Sequence, residues 1–126
     1  GHTDRFSALF CHNGTYNLES MWGTTEELWF PEWDVNGTPW ENREAYVKLS
    51  PHQYAKNFKT PMLIVHSAFD FRLSEEQAFQ LFTTLQRLGV ESKFLYFPDE
   101  THFVSKPQNA KLWWNIVFDW FKEHQK

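Results

Sequence analysis

Two residues of this sequence stand where proton-transfer chemistry could be done. Asp70 ends the stretch "VHSAFD" and His102 ends "FPDETH", and each stretch follows an apolar run of strand length. A carboxylate beside an imidazole selects its tautomer and stabilises its protonated form, so that the imidazole can take a proton and return it. Taken singly, neither residue is informative. A loop histidine is commonly just a polar loop residue, and a loop aspartate is commonly a helix cap or a surface acid. Asp99 and Glu100 directly precede His102. Neighbouring residues point in different directions, so these two acids are expected to shape the turn that aims the imidazole. His52, His66, His102 and His124 show neither an HExxH nor a CxxC spacing, and no metal or other cofactor is expected.

The elements that must carry this pair are partly legible. Arg5–His12 is an apolar run of strand type, as is Pro61–His66, "PMLIVH". Between them, Asn13–Pro51 reads as a long irregular stretch holding Trp22, Trp29, Trp33 and Trp40, with "ENREAYVKL" as one short helix. A stretch of this length is usually functional, and a pocket wall is expected. Ser74 opens "SEEQ", the pattern of a capping box closed by Gln77. Ala78, Leu81, Phe82 and Leu85 follow at helical spacing up to Gly89. Ser92–Phe97 is a third strand. Pro107 opens a last helix with the apolar stripe Leu112, Trp113, Ile116, Val117, Trp120 and Phe121.

Strands that are apolar throughout, alternating with helices, imply an α/β fold with a parallel sheet covered on both faces. Three strands are few for such a sheet, and the first would leave an unpaired apolar edge. Residues 1–126 are therefore expected to be the C-terminal part of a larger α/β domain. The remainder would lie in a longer parent chain or a second one. Sites in open α/β sheets form beyond the carboxyl ends of the strands, which would set the loops of Asp70 and His102 side by side. In α/β-hydrolases the chain order is Ser, then Asp, then His. Asp70 and His102 match the last two.

Composition excludes other classes. Aromatics make up 19% of the residues, too many for a disordered chain. A net charge of −4 leaves no footprint for nucleic acid, and no apolar run is long enough to span a membrane. The lone cysteine, Cys11, reads as a small buried hydrophobe. Asn13-Gly14-Thr15 and Asn36-Gly37-Thr38 fit a glycosylation triplet, the second followed by Pro39, but such triplets arise often by chance. The opening "GHTDRF" reads as the middle of a protein, with no signal peptide.

Beyond these elements, "KTPMLIVHSAFDFRL" and "LFTTLQRLGVESKFLYFPDETHFVSKPQNAKLWW" resemble the C-terminal end of the prolyl oligopeptidase family of serine peptidases. The nearest branch is that of dipeptidyl peptidase V and acylaminoacyl-peptidase. "GHTDRFSALFCHNG" and "WGTTEELWFPEWDVNGTPWEN" are similar to the same branch, so the resemblance covers nearly the whole chain. Its motifs are H-x-x-x-D-x-R and a strand ending in P-D-E-x-H. The resemblance implies an α/β-hydrolase domain acting on short peptides, with Asp70 as triad acid and His102 as triad base. It further implies that Arg72 grips a substrate carbonyl and that Leu73 lines the pocket for the side chain before the cut bond. Trp29 and Phe30 would supply an aromatic wall of that pocket. Relatives are often oligomeric, so a homo-oligomer is compatible. The compartment stays open, with a secreted or periplasmic setting favoured over a cytoplasmic one.

Ser67 stands where the family commonly has glycine after the histidine, and Ser74 where it commonly has proline. The family's nucleophile lies in a G-x-S-x-G elbow. Ser7, Ser20, Ser50, Ser67, Ser74, Ser92 and Ser105 all lack that context. The expectation is a chain that begins just after the elbow, supplies the acid and the base of a serine exopeptidase, and is inactive alone. An esterase of the same fold and a non-catalytic interaction fragment are the rivals.

Overall fold

The structure is a computed structural model and describes residues 1–125. Its centre is β2 (Met62–Phe69), whose side chains alternate between two cores. Ile64 faces one side, where it meets Tyr16 and the residues Ala78, Leu81 and Leu85 of α4 (Glu76–Leu88). Leu63 and Val65 face the other, against Phe97 of β3 (Ser92–Thr101) and Val117 and Trp120 of α5 (Pro107–Glu123). A strand buried on both faces has no polar side, which is why "MLIV" is apolar without interruption.

The sheet has the order β1-β2-β3 and is parallel throughout. β1 (Leu9–His12) pairs Leu9 with Met62 and His12 with Val65. It is shorter than expected, because the polar end of the "RFSALFCH" run does not join the ladder. Trp120 Nε1 donates to the Leu9 carbonyl at 3.1 Å and so pins α5 to β1. β3 (Ser92–Thr101) extends past the expected Phe97. Its register with β2 shifts between Ser67, opposite Phe97, and Phe69, opposite Thr101. Pro98, which has no N–H to donate, falls inside that irregularity. Ser67 is buried in β2 and does not take a positive φ, so the glycine common at this position is not required by the backbone.

The stretch expected to be irregular is mostly helical. It holds α1 (Leu18–Thr24), α2 (Trp29–Val35), the anticipated short helix α3 (Arg43–Leu49), and a 3₁₀ turn at Pro51–Asn57. Seven-residue helices carry too few periods to register as amphipathic patterns. Asparagines set one end of each of the first two. Asn17 caps α1 by accepting from Glu19 N and Ser20 N, and Asn36 closes α2 in the left-handed conformation at φ 59°. Among the described residues no helix is long and apolar enough to cross a membrane.

The expected capping box at Ser74 does not form; α4 has no side-chain cap. Gln77 is instead fully buried and turned toward α1. Its Oε1 accepts from Tyr16 N and Asn17 N, both at 2.8 Å, and its Nε2 donates to Ser20 Oγ at 2.9 Å. The reason is tertiary: two backbone N–H groups entering α1 would otherwise be buried without partners. At the other end Gly89 takes φ 70° and closes α4, as its position implied. Of the expected α5 stripe, Val117 and Trp120 are buried, Trp113 and Ile116 are half-buried, and Leu112 and Phe121 are exposed. Gln77→Ala should cost roughly 1–3 kcal/mol by stranding the two N–H groups. Urea unfolding checks this, and an unchanged midpoint would mean that water serves those groups equally well.

Candidate active site

Asp70 leaves β2 at its carboxyl end and His102 leaves β3 at its own, so the parallel pairing of the two strands brings both loops to one rim. His102 Nδ1 and Asp70 Oδ2 lie 2.9 Å apart. Opposite a carboxylate, Nδ1 is the protonated nitrogen, and Nε2, across the ring, is the acceptor. Asp70 is 1% exposed. A carboxylate so buried must have its lone pairs satisfied. Oδ1 accepts from Leu73 N at 2.9 Å and from Arg72 N at 3.2 Å. The tight turn after Asp70 therefore supplies donors to one oxygen and leaves the other to the imidazole.

Two further groups hold this arrangement. His66 is fully buried in β2, and its Nε2 donates to the Leu73 carbonyl at 2.7 Å while standing 3.7 Å from Asp70 Oδ2. It ties the turn back onto the strand that starts it. Asn13, just past β1, takes φ 49° and donates from Nδ2 to the His102 carbonyl at 2.5 Å. All three strands thus contribute to the placing of one imidazole. Asn13 is also buried and committed to this bond, so its triplet is not available for glycosylation in the folded chain.

The acids before His102 act as the turn-shaping pair they were expected to be. Glu100 is buried and accepts from Ser105 N, Ser105 Oγ, Lys106 N and Asn109 Nδ2. Burial pushes its carboxyl up, but those bonds outweigh it and hold the group below the usual carboxylate range. Asp99 accepts from Lys106 Nζ and Asn109 Nδ2. Together they staple the loop after His102 to the first turn of α5.

Beside the pair opens a cleft of about 310 Å³. Leu18, Met21, Phe30, Val35 and Leu73 form its apolar walls, with Arg72 and His102 at the mouth. Phe30 and Leu73, both named above for a pocket wall, line this cleft. Trp29 does not. It is 65% exposed and meets Phe30 edge-on at 5.3 Å, outside the lining. Successive residues on a helix point about 100° apart, and α2 turns Phe30 toward the cleft and Trp29 away from it. Arg72 donates from Nε to Glu27 Oε2 at 2.7 Å, with Nη2 3.5 Å from Oε1. Glu27 was not foreseen, and its placement beside Arg72 has no spacing signal, because 45 residues separate the two. Asn13 did carry a signal: Asn-Gly after a strand favours a left-handed residue.

Burial, the largest influence, pushes the His66 imidazole below its ordinary pKa, and His102 adds to this. The Leu73 carbonyl, Asp70 and Glu75 pull the other way. His12 is lowered too, chiefly by burial. Both imidazoles bind protons more readily in the unfolded chain. Their contribution to stability is therefore present above about pH 6.5 and is lost as the pH falls below it. His66→Gln, which keeps a donor for Leu73, should flatten the loss of stability between about pH 7 and 5. Urea midpoints across that range test this, and an unaltered slope would remove His66 from the titration.

A model of the prolyl oligopeptidase family matches residues 1–126. Dipeptidyl-peptidase 5 of Porphyromonas gingivalis is 43% identical over 125 residues, covering 95% of this chain and 18% of the relative. The Schizosaccharomyces pombe protein of the same name is 40% identical over 122 residues, covering 97% and 18%. Pyrococcus horikoshii acylaminoacyl peptidase superposes with a TM-score of 0.90 at 31% identity, over 99% of this chain and 21% of that one. Porphyromonas gingivalis dipeptidyl peptidase 4 superposes at 0.82 with 14% identity, a likeness of fold alone. The chain spans about 18% of the length of the curated relatives it matches.

Proposed function

Because the chain belongs to the prolyl oligopeptidase family, we propose that it is the C-terminal part of the catalytic domain of a serine exopeptidase, in which Asp70 and His102 are two members of the triad. The observation that carries this is the 2.9 Å bond between a buried carboxylate and a partly exposed imidazole at adjacent strand ends. The nucleophile is a serine of the remaining part of the domain, because no serine here has the G-x-S-x-G context. β1 has one neighbour among the described strands, and its outer edge suits the strand that would carry the elbow.

In this reading the serine attacks the peptide carbonyl and His102 Nε2 takes its proton. The same nitrogen then gives that proton to the departing amine, and water completes the cycle from the acyl-enzyme. Asp70 holds the tautomer and stabilises the imidazolium. Asn13 and His66 are positioning residues, acting on the backbone of the base and on the turn of the acid. The cleft at Phe30 and Leu73 takes an apolar side chain before the cut bond, and the released unit is a dipeptide or an acylated residue. Arg72 is held by Glu27 at the cleft mouth, where its remaining donors can meet a substrate carbonyl.

The test uses the intact protein with dipeptidyl amide substrates. Asp70→Asn should lower kcat by roughly 10⁴-fold, as the wrong tautomer does in a related constellation. Full activity in that variant would remove Asp70 from the triad. Hydrolysis of short esters with none of dipeptidyl or acylaminoacyl amides would make the protein an esterase of the same fold.

A further inference from the structure

His102 borders two clefts, and the apolar one at Phe30 is only the first. The second is a recess of about 280 Å³ lined by Phe69, Phe71, Thr101, Phe103 and Glu26, which shares only Arg72 and His102 with the first cleft. The three phenylalanines are 51%, 58% and 66% exposed. Rings that open to water forgo the gain of burial, so a cluster of them marks a place where something apolar is received.

The recess is built, not incidental. The register shift sets Phe69 opposite Thr101, so that the ends of β2 and β3 present their side chains together. Phe69 and Phe71 have ring centroids 6.5 Å apart. The Phe71 loop is tied down by Glu26 N, which donates to the Phe71 carbonyl at 2.8 Å, and by Thr25 Oγ1, which donates to the Arg72 carbonyl at 2.7 Å. Phe103 stands edge-on to the imidazole of His102 at 5.1 Å.

We infer that this recess is the subsite for the first residue after the cut bond, and that it selects peptides with a large apolar side chain there. This rests on the proposed triad. The base must return its proton to the departing nitrogen, so the residue bearing that nitrogen lies against His102. With the acyl residue's side chain in the cleft at Phe30, the departing residue's side chain falls to the opposite flank of the imidazole. The phenylalanine recess, which meets the first cleft only through Arg72 and His102, is the one that can receive it.

The test uses the intact protein and peptides that share one N-terminal dipeptide but continue with Gly, Ala, Leu or Phe. The ratio of kcat/KM for Leu or Phe over Gly should be about 10-fold or more, the discrimination an apolar pocket commonly supplies. It should fall toward one in both Phe103→Ala and Phe71→Ala. A ratio isolates the recess, because any disturbance of the base slows both substrates alike. Phe71→Ala adds a variant at a ring that pairs with Phe69, whereas Phe103 is the ring beside His102. A wild-type ratio near one, or one kept in both variants, would overturn the inference and show that another part of the protein covers the phenylalanines. An aryl ester of the same dipeptide separates the two failures. If neither the ester nor any peptide is cleaved, the triad reading falls and this subsite with it. If cleavage proceeds without preference, only the subsite falls.

Discussion

A carboxylate cannot be taken out of water without partners, and Asp70 is almost wholly out of water. Its two oxygens are divided between a backbone turn and an imidazole. Much of the local structure answers that one requirement. The turn of residues 70–73 must curl back so that Arg72 N and Leu73 N point at Oδ1. His66 must hold the Leu73 carbonyl so that the turn stays curled. His102 must arrive from the next strand at the right height. An apolar residue in place of Asp70 would leave two N–H groups and an imidazole nitrogen without partners.

The height of His102 is set by two devices at the end of β3. The shifted register with β2 carries the strand on to Thr101, and the buried Glu100 gathers the N–H groups of Ser105 and Lys106 and the amide of Asn109. The loop bearing the imidazole is thereby fastened to β3 before it and α5 after it. Asn13 fastens it sideways to β1. An imidazole held through its backbone from three directions has little freedom to reorient, which is the preorganisation that the proposed proton transfer requires.

The two clefts follow from the same strand ends. On one flank, α1 and α2 fold over the rim and enclose apolar walls. On the other, the ends of β2 and β3 stand open and present phenylalanines. The short helices that close the first flank are held by polar side chains at particular points: Gln77 at the entry to α1, and Trp22 Nε1 donating to Glu32 between α1 and α2. Few apolar contacts are needed where such bonds define the path.

The apolar runs of β2 and β3, the helical stripe of α4 with its closing Gly89, and Pro107 at the start of α5 were legible because each obeys a local period or a local backbone rule. The pairing of Asp70 with His102 was legible for a related reason. Parallel strands in one sheet must deliver their carboxyl ends to a common rim, so strand order in the chain already implied neighbourhood. Of the helices between Asn13 and Pro51 only α3 was legible; α1 and α2 were hidden, because seven residues hold barely two turns and Asn17 and Asn36, which cap them, also suit loops. The true partner of Gln77, the bond from Asn13 to the His102 carbonyl, the pairing of Glu27 with Arg72, and the turning of Phe30 inward while Trp29 faces out were decided only by tertiary structure. Each depends on where separate elements come to rest against one another, and no periodicity along the chain encodes that distance.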